Sequence, residues 1–133
     1  MSSDIQIPID RESDIVTARQ KGRELAAEAG FAGSDLTVIA TAISEVARNI
    51  VTYAVRGEIR VTRIQLSGKS GIQVVASDHG PGIPDIALAL RDGYSTGKSL
   101  GLGLPGAKRL MDEFEIASKA GQGTTVTMRK WTR

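Results

Sequence analysis

The sequence contains no cysteine and a single histidine. The absence of cysteine excludes disulfide bonds, catalytic thiolates and cysteine-ligated zinc sites. No apolar run approaches the roughly 20 residues of a membrane-spanning helix. The first residues also lack the basic stretch and apolar core of a signal peptide. From these absences we expect a soluble, cytoplasmic protein that has no membrane partner.

An excess of one charge is lacking as well. Lysine and arginine number 17 against 15 aspartates and glutamates, which leaves a net charge of +2. Because the basic residues are scattered rather than clustered, we expect no nucleic-acid partner. The 133 residues, 41% hydrophobic and 24% charged, are typical of one globular domain with its own core. We place this domain at residues 1–133.

Hydrophobic periodicity predicts how the domain is built. Apolar residues alternate at 5–9, and helical spacing follows at 13–29, ended by Gly30, and again from a cap at Ser34 or Asp35 to residue 50. Further strands are predicted at 59–66, 72–76, 114–118 and 124–128, and short helices at 85–91 and 105–113. The order βααββααββ predicts an α+β fold, a two-layer sandwich with helices on one face of a mixed β-sheet.

Glu45 and Asn49 form the first feature that packing alone does not explain. They are four residues apart in the second predicted helix, so both side chains lie on one helix face. That face points roughly 120° away from the apolar stripe. The pair therefore flanks the predicted core, either as functional groups or as an ordinary solvated carboxylate and amide.

The second feature is the segment 78–82, which directly follows a predicted strand. Asp78 ends the strand, and its carboxylate can accept hydrogen bonds from a ligand amine. Gly80 and Gly82 leave the backbone open to close approach. The alternative is a tight turn that needs glycine and proline for its shape, and His79 fits best as a residue of that turn.

The third feature is a glycine-rich loop at 93–105 that leads into a helix. Free N–H groups at a helix N-terminus suit phosphate. A P-loop is rejected because Asp92 stands where its first glycine should be, five positions before Gly97. The spacing Gly101-x-Gly103-x-x-Gly106 matches a dinucleotide fingerprint, but no strand precedes it, so that motif is rejected too.

In their order along the chain, these motifs resemble the ATP-binding fold shared by gyrase B, the Hsp90 chaperone, histidine kinases and MutL. The matches comprise the N box, the adenine box, the glycines that close the ATP lid and a final Gly-x-Gly-Thr turn. They lie at Glu45 and Asn49, at Asp78-x-Gly80-x-Gly82, at Gly101-x-Gly103, and at Gly121-x-Gly123-Thr124. The resemblance implies the Bergerat, histidine-kinase-like fold with ATP and Mg²⁺ as cofactors.

Segments 41–50, 78–86 and 101–114 more closely resemble the serine-protein kinases of bacterial partner switching, of the type that acts in the stressosome. That resemblance implies transfer of the ATP γ-phosphoryl group to a serine or threonine of a STAS-domain partner. It further implies that the released kinase activates a downstream phosphatase. A two-component histidine kinase is not expected, because His79 lies inside the adenine box.

The resemblance also implies roles for single residues. Glu45 is the candidate general base, Asn49 the Mg²⁺ ligand, and Asp78 the acceptor for the adenine amino group, supported by Thr124 through water. Arg48 contacts either the γ-phosphate or the partner, or is an ordinary surface arginine. The ATP-binding residues are Asn49, Asp78, Gly80, Gly82, Ile83, Lys98, Gly101, Leu102, Gly103 and Thr124. For Lys98, a solvated lysine of the lid is an equal alternative.

Three other functions compete with this one. An anti-sigma-factor kinase has the same chemistry and also binds a sigma factor directly. A non-catalytic nucleotide-dependent binding module keeps the adenine box but needs neither Glu45 nor Asn49, and the presence of both argues against it. A plain α+β binding module would leave four ordered motifs to coincidence.

Overall fold

The computed structural model of the chain describes residues 4–54, 56–80, 103–119 and 121–132. Within those ranges the chain forms five strands, three α-helices and one π-helical turn, which we number in chain order. They are β1 (Asp4–Ile9), α1 (Glu12–Glu28), α2 (Ser34–Asn49), the π-helical turn (Ile50–Ala54), β2 (Gly57–Leu66), β3 (Lys69–Asp78), α3 (Gly103–Leu110), β4 (Glu113–Lys119) and β5 (Gly123–Trp131). The helix predicted at 85–91 lies outside the described residues.

The strands form one sheet in the order β1-β2-β3-β5-β4. The α+β class and the two-layer arrangement are confirmed. The mixed sheet is wrong for the described strands, because every neighbouring pair is antiparallel. The chain does return from β3 to β4 in the same direction, but β5 folds back and inserts between them. The two parallel strands therefore never become neighbours.

One face of this sheet forms the core together with the helices. Alternate strand residues point to it, as the pleat of a strand requires. The burial of one large apolar side chain contributes about 1.5–3 kcal/mol to stability. The largest fully buried side chains are Ile9, Ile39, Ile43, Val46, Ile50, Ile59, Val61, Ile72, Val74 and Met128.

The first two helices pack closely around Gly22. A Cβ atom at Gly22 of α1 would collide with the end of the Ile43 side chain in α2, so a larger residue there would require that side chain to shift. Helix α1 starts at a capping arrangement in which the Asp14 carboxylate accepts hydrogen bonds from the N–H groups of Asp10 and Arg11. These backbone bonds hold the pKa of Asp14 below its ordinary value.

The turns lie at the two opposite ends of the strands. Ser67 and Gly68, both with positive φ (52° and 79°), join β2 to β3 in a two-residue hairpin turn of the kind that matches strand twist. At the other end of β3, Ser77 pairs with Thr125 of β5. The end of β3 and the start of β5 are thus adjacent.

No described helix is long and apolar enough to cross a membrane.

Candidate active site

Glu45 lies buried where α2 meets the start of α3. Its side chain is only 7% exposed, and its Oε2 accepts a hydrogen bond of 2.9 Å from the N–H group of Gly103. Gly103 is the first residue of α3 and has a φ of 65°, a conformation that favours glycine. The solvated-carboxylate alternative is therefore wrong for Glu45: its carboxylate faces the N-terminus of a helix, where negative charge is favourable.

Arg48 contacts the other oxygen of the same carboxylate. Its Nη1 lies 3.3 Å from Glu45 Oε1, while 40% of the arginine side chain stays exposed. A partly exposed pair of this kind adds little to stability. It does place a cation beside the carboxylate. A contact of Arg48 with the γ-phosphate or with the partner protein stays a prediction.

Asn49 is the last residue of α2 and is half-buried. The chain then tightens into the π-helical turn, which periodicity did not predict. Such turns are rare and occur frequently at functional sites. This one ends at Ala54, directly against Gly80. A Cβ atom at Gly80 would lie 2.6 Å from Ala54 Cβ and 2.8 Å from Ala54 Cα. Gly80 therefore allows the chain just after β3 to contact the end of the π-helical turn.

Asp78 ends β3 and is only 9% exposed. Its Oδ1 accepts two hydrogen bonds, from the N–H of Gly80 at 2.9 Å and from the N–H of Thr124 at 3.2 Å. Both bonds use the same oxygen, so the orientation of the carboxylate is set while Oδ2 keeps its capacity to accept from a ligand amine.

Thr124 supports Asp78 through its main chain. The hydroxyl group of Thr124 instead forms a hydrogen bond of 2.8 Å with the hydroxyl of Ser118. Ser118 also donates to the carbonyl of Gly123 at 3.2 Å. These bonds tie β4 to the start of β5 and so hold the Thr124 N–H in place. The expected support through water stays a prediction.

Substitution of Gly123 should disturb the corner formed by the end of β3 and the start of β5. Its φ is 109°, and a Cβ atom there would collide with the carbonyl oxygen of Asp78 and lie 2.9 Å from His79 Cα. We expect Gly123→Ala to lower the free energy of unfolding by about 2–4 kcal/mol. The backbone strain at positive φ and the collision with the Asp78 carbonyl both destabilise the folded state. Urea denaturation followed by circular dichroism measures this loss.

Gly121→Ala is the matched control. Gly121 also has a positive φ, 76°, but a Cβ atom there meets no atom of the described residues within 4 Å. It should cost only the backbone strain, about 1–2 kcal/mol. Equal losses for the two variants would show that the contact with Asp78 is unimportant.

The comparison with known proteins assigns this arrangement to a family. Residues 7–130 match the model of the histidine kinase-like ATPase domain. The chain belongs to this family. It is 52% identical over 127 residues to the serine/threonine-protein kinase RsbT of Bacillus subtilis (strain 168), covering 96% of each chain.

Two further similarities are informative. The chain is 32% identical over 103 residues to an anti-sigma F factor of Caldanaerobacter subterraneus subsp. tengcongensis, covering 73% of this chain and 71% of the relative. It also matches a crystal structure of RsbU and RsbW domains from Mycobacterium tuberculosis, with a TM-score of 0.64 and 28% identity. That match covers 98% of this chain and 33% of the other.

The structure describes five of the ten predicted ATP-binding residues of this histidine kinase-like ATPase domain. The structure brings Glu45 to Gly103, and Asp78 to Gly80 and Thr124. Five predicted ATP-binding residues lie outside the described ranges: Gly82, Ile83, Lys98, Gly101 and Leu102. The sequence analysis did not predict that Gly80 contacts Ala54. The one sequence signal for this contact is that Ala54, about one turn beyond Asn49, has a small side chain.

Among the described residues, no group of three or more His, Asp or Glu side chains is placed to hold a metal ion. Mg²⁺ does not need such a group, since it usually keeps several waters and binds one or two protein oxygens plus substrate phosphates. The half-buried amide of Asn49, one helical turn from Glu45, fits that requirement.

Proposed function

We propose that this chain is an ATP-dependent serine/threonine-protein kinase. It phosphorylates a STAS-domain partner in a partner-switching stress pathway and, once released, activates a downstream phosphatase. The observation that carries the proposal is the buried Glu45 carboxylate, held 2.9 Å from the N–H of Gly103 and one turn from Asn49. The 52% identity to RsbT supports the same activity.

Nucleotide recognition depends on Asp78. Its Oδ2 accepts a hydrogen bond from the adenine amino group, because Oδ1 already accepts hydrogen bonds from the N–H groups of Gly80 and Thr124. A buried acceptor whose orientation is set in advance discriminates strongly between a ligand that donates and one that does not. ATP is thereby preferred over nucleotides that present an acceptor at this position.

Asn49 would hold Mg²⁺ through its amide oxygen. When bound, the ion neutralises phosphate charge and aligns the γ-phosphoryl group. Asn49 stands at the junction of α2 and the π-helical turn. The Ala54–Gly80 contact at the far end of that turn fixes the position of Asn49 relative to the adenine box.

Glu45 accepts the proton of the attacking hydroxyl group. The serine or threonine oxygen of the partner forms a bond to the γ-phosphorus, the bond to the β-phosphate oxygen breaks, and ADP leaves. The hydrogen bond from Gly103 and the contact with Arg48 orient the carboxylate for this step. A positioned general base contributes about 10²–10⁴-fold to the rate.

Phosphorylation then acts as the switch. The new phosphate adds about −1.5 to −2 charges at the interface, close to the carboxylate that served as the base. Repulsion weakens the complex and releases the kinase for its phosphatase partner. A complex with the phosphorylated STAS protein as tight as with the unmodified one would contradict this step.

The direct test uses radiolabelled ATP, Mg²⁺ and a candidate STAS-domain protein. We expect label on a serine or threonine of the STAS protein. Nucleotide binding without transfer to any STAS protein would favour the non-catalytic module, and no nucleotide binding would contradict the proposal altogether.

The role of Asn49 makes a separate prediction. Asn49→Ala should lower the rate of transfer by roughly 10²-fold or more, because alignment of the phosphates through the metal is lost. The rate should also become insensitive to Mg²⁺ concentration over the range that saturates the wild type. Thr37→Ala, an exposed position on the same helix, is the control. A wild-type Mg²⁺ titration in Asn49→Ala would exclude Asn49 as the ligand.

A second candidate function has its own support. The 32% identity to an anti-sigma F factor favours direct binding of a sigma factor in addition to the kinase chemistry. A pull-down with purified sigma factors separates the two functions. Binding that competes with the STAS partner would establish the anti-sigma role.

A further inference from the structure

Helix α3 is held at its two ends by charges of opposite sign. At its N-terminus, Gly103 donates to the buried Glu45 carboxylate at 2.9 Å. At its C-terminus, the carbonyl of Leu110 accepts a hydrogen bond of 3.1 Å from the ammonium group of Lys130. Each charge has the sign that favours interaction with the helix dipole at its end.

Lys130 is an unusual residue for its place in the sheet. It lies on β5 on the same face as Val126 and Met128, and it is 7% exposed. Among the described residues, the only carboxylate that pairs with Lys130 is that of Asp112, whose Oδ1 lies 3.9 Å from Lys130 Nζ. Burying a lysine has a desolvation cost, and an apolar residue of similar volume is often equally or more stabilising at such a site. Stability alone therefore does not explain a lysine here.

The chain leaving α3 is joined to β5 by three hydrogen bonds around this lysine. Besides the bond from Lys130 to Leu110, the N–H of Asp112 donates to the Arg129 carbonyl at 2.9 Å. The N–H of Trp131 donates to Asp112 Oδ2 at 2.8 Å. The exit of α3 is thus anchored to the C-terminal end of β5.

We propose that Lys130 is a positioning residue for the phosphate groups of the nucleotide. It secures the C-terminal end of α3 and, through this short helix, the location of the N–H group at Gly103. Eight residues of helix span only about 12 Å, so a shift at one end moves the other. The inference rests on the proposed function, because it takes the start of α3 as the phosphate side of the site.

The test compares ligands with and without phosphates. Lys130→Met should raise the Kd for ATP and ADP by about three- to thirtyfold, the range expected for residues that act on a site without touching the ligand. The Kd for adenosine, measured by NMR chemical-shift titration, should not change, because Asp78 lies at the end of β3 and does not depend on α3. Lys130→Arg keeps the positive donor and should restore most of the ATP affinity.

Lys69→Met is the matched control, because Lys69 is exposed at the start of β3. Urea denaturation shows that each variant is folded. Unchanged ATP affinity in Lys130→Met, or an equal loss for ATP and adenosine, would overturn the inference while leaving the kinase proposal intact. A wild-type protein that binds no ATP would overturn both.

Discussion

Glu45→Gln is expected to lower the rate of phosphoryl transfer by about 10²–10⁴-fold and to leave ATP affinity within a few-fold of the wild type. The amide oxygen of glutamine can still accept the hydrogen bond that Gly103 donates to Glu45 Oε2. The start of α3 therefore stays in place. What is lost is the capacity to take the proton of the attacking hydroxyl group.

Glu45→Ala separates this chemical role from the structural one. Alanine removes both the base and the acceptor for Gly103, and it leaves Arg48 without its 3.3 Å contact. We expect the same loss of transfer together with weaker ATP binding, because α3 is no longer held at its N-terminus. Single-turnover kinetics with saturating ATP measure the first effect, and nucleotide titration measures the second. Near-normal transfer by Glu45→Gln would exclude Glu45 as the base.

Asp78→Asn is expected to weaken ATP binding by about 10²-fold or more. Asn Oδ1 must take the place of the carboxylate oxygen that accepts from Gly80 and Thr124. The amide nitrogen then faces the adenine amino group, so two donors oppose each other. Inosine triphosphate presents an acceptor at this position. We therefore expect the ratio of inosine triphosphate affinity to ATP affinity to rise strongly in this variant.

Competition titrations with both nucleotides measure this change of preference. Asp10→Asn is the matched control, because Asp10 is exposed near the start of α1. A variant that loses both nucleotides equally would point to collapse of the corner between β3 and β5. Unchanged ATP affinity would show that Asp78 does not meet the adenine.

The N box illustrates what helical periodicity can and cannot predict. The spacing of Glu45 and Asn49 predicts that both side chains lie on one helix face, off the apolar stripe of α2. It does not predict that Glu45 is 7% exposed, because the burial comes from α3, which is 58 residues further along the chain. The π-helical turn after Asn49 was likewise missed, since an i→i+5 hydrogen-bond pattern has no local sequence signature.

The corner formed by the end of β3 and the start of β5 also shows what local patterns can and cannot predict. A carboxylate at a strand end followed by glycines indicates a ligand site, and the Gly-x-Gly-Thr turn indicates its support. The direct bond from the Thr124 N–H to Asp78 follows from β5 lying beside β3. Gly80 is required by contact with Ala54, whereas composition pointed to a turn or to the approach of a ligand.

The sequence by itself determined the element types and most of their bounds, because periodicities of 2 and 3.6 are local properties of the chain. Its ordered motifs also determined the family. Only the tertiary structure decided that the sheet is antiparallel, that Glu45 meets Gly103, and that Lys130 holds the other end of α3. These contacts join residues far apart in sequence, and they depend on strand order and helix packing, which local patterns do not encode.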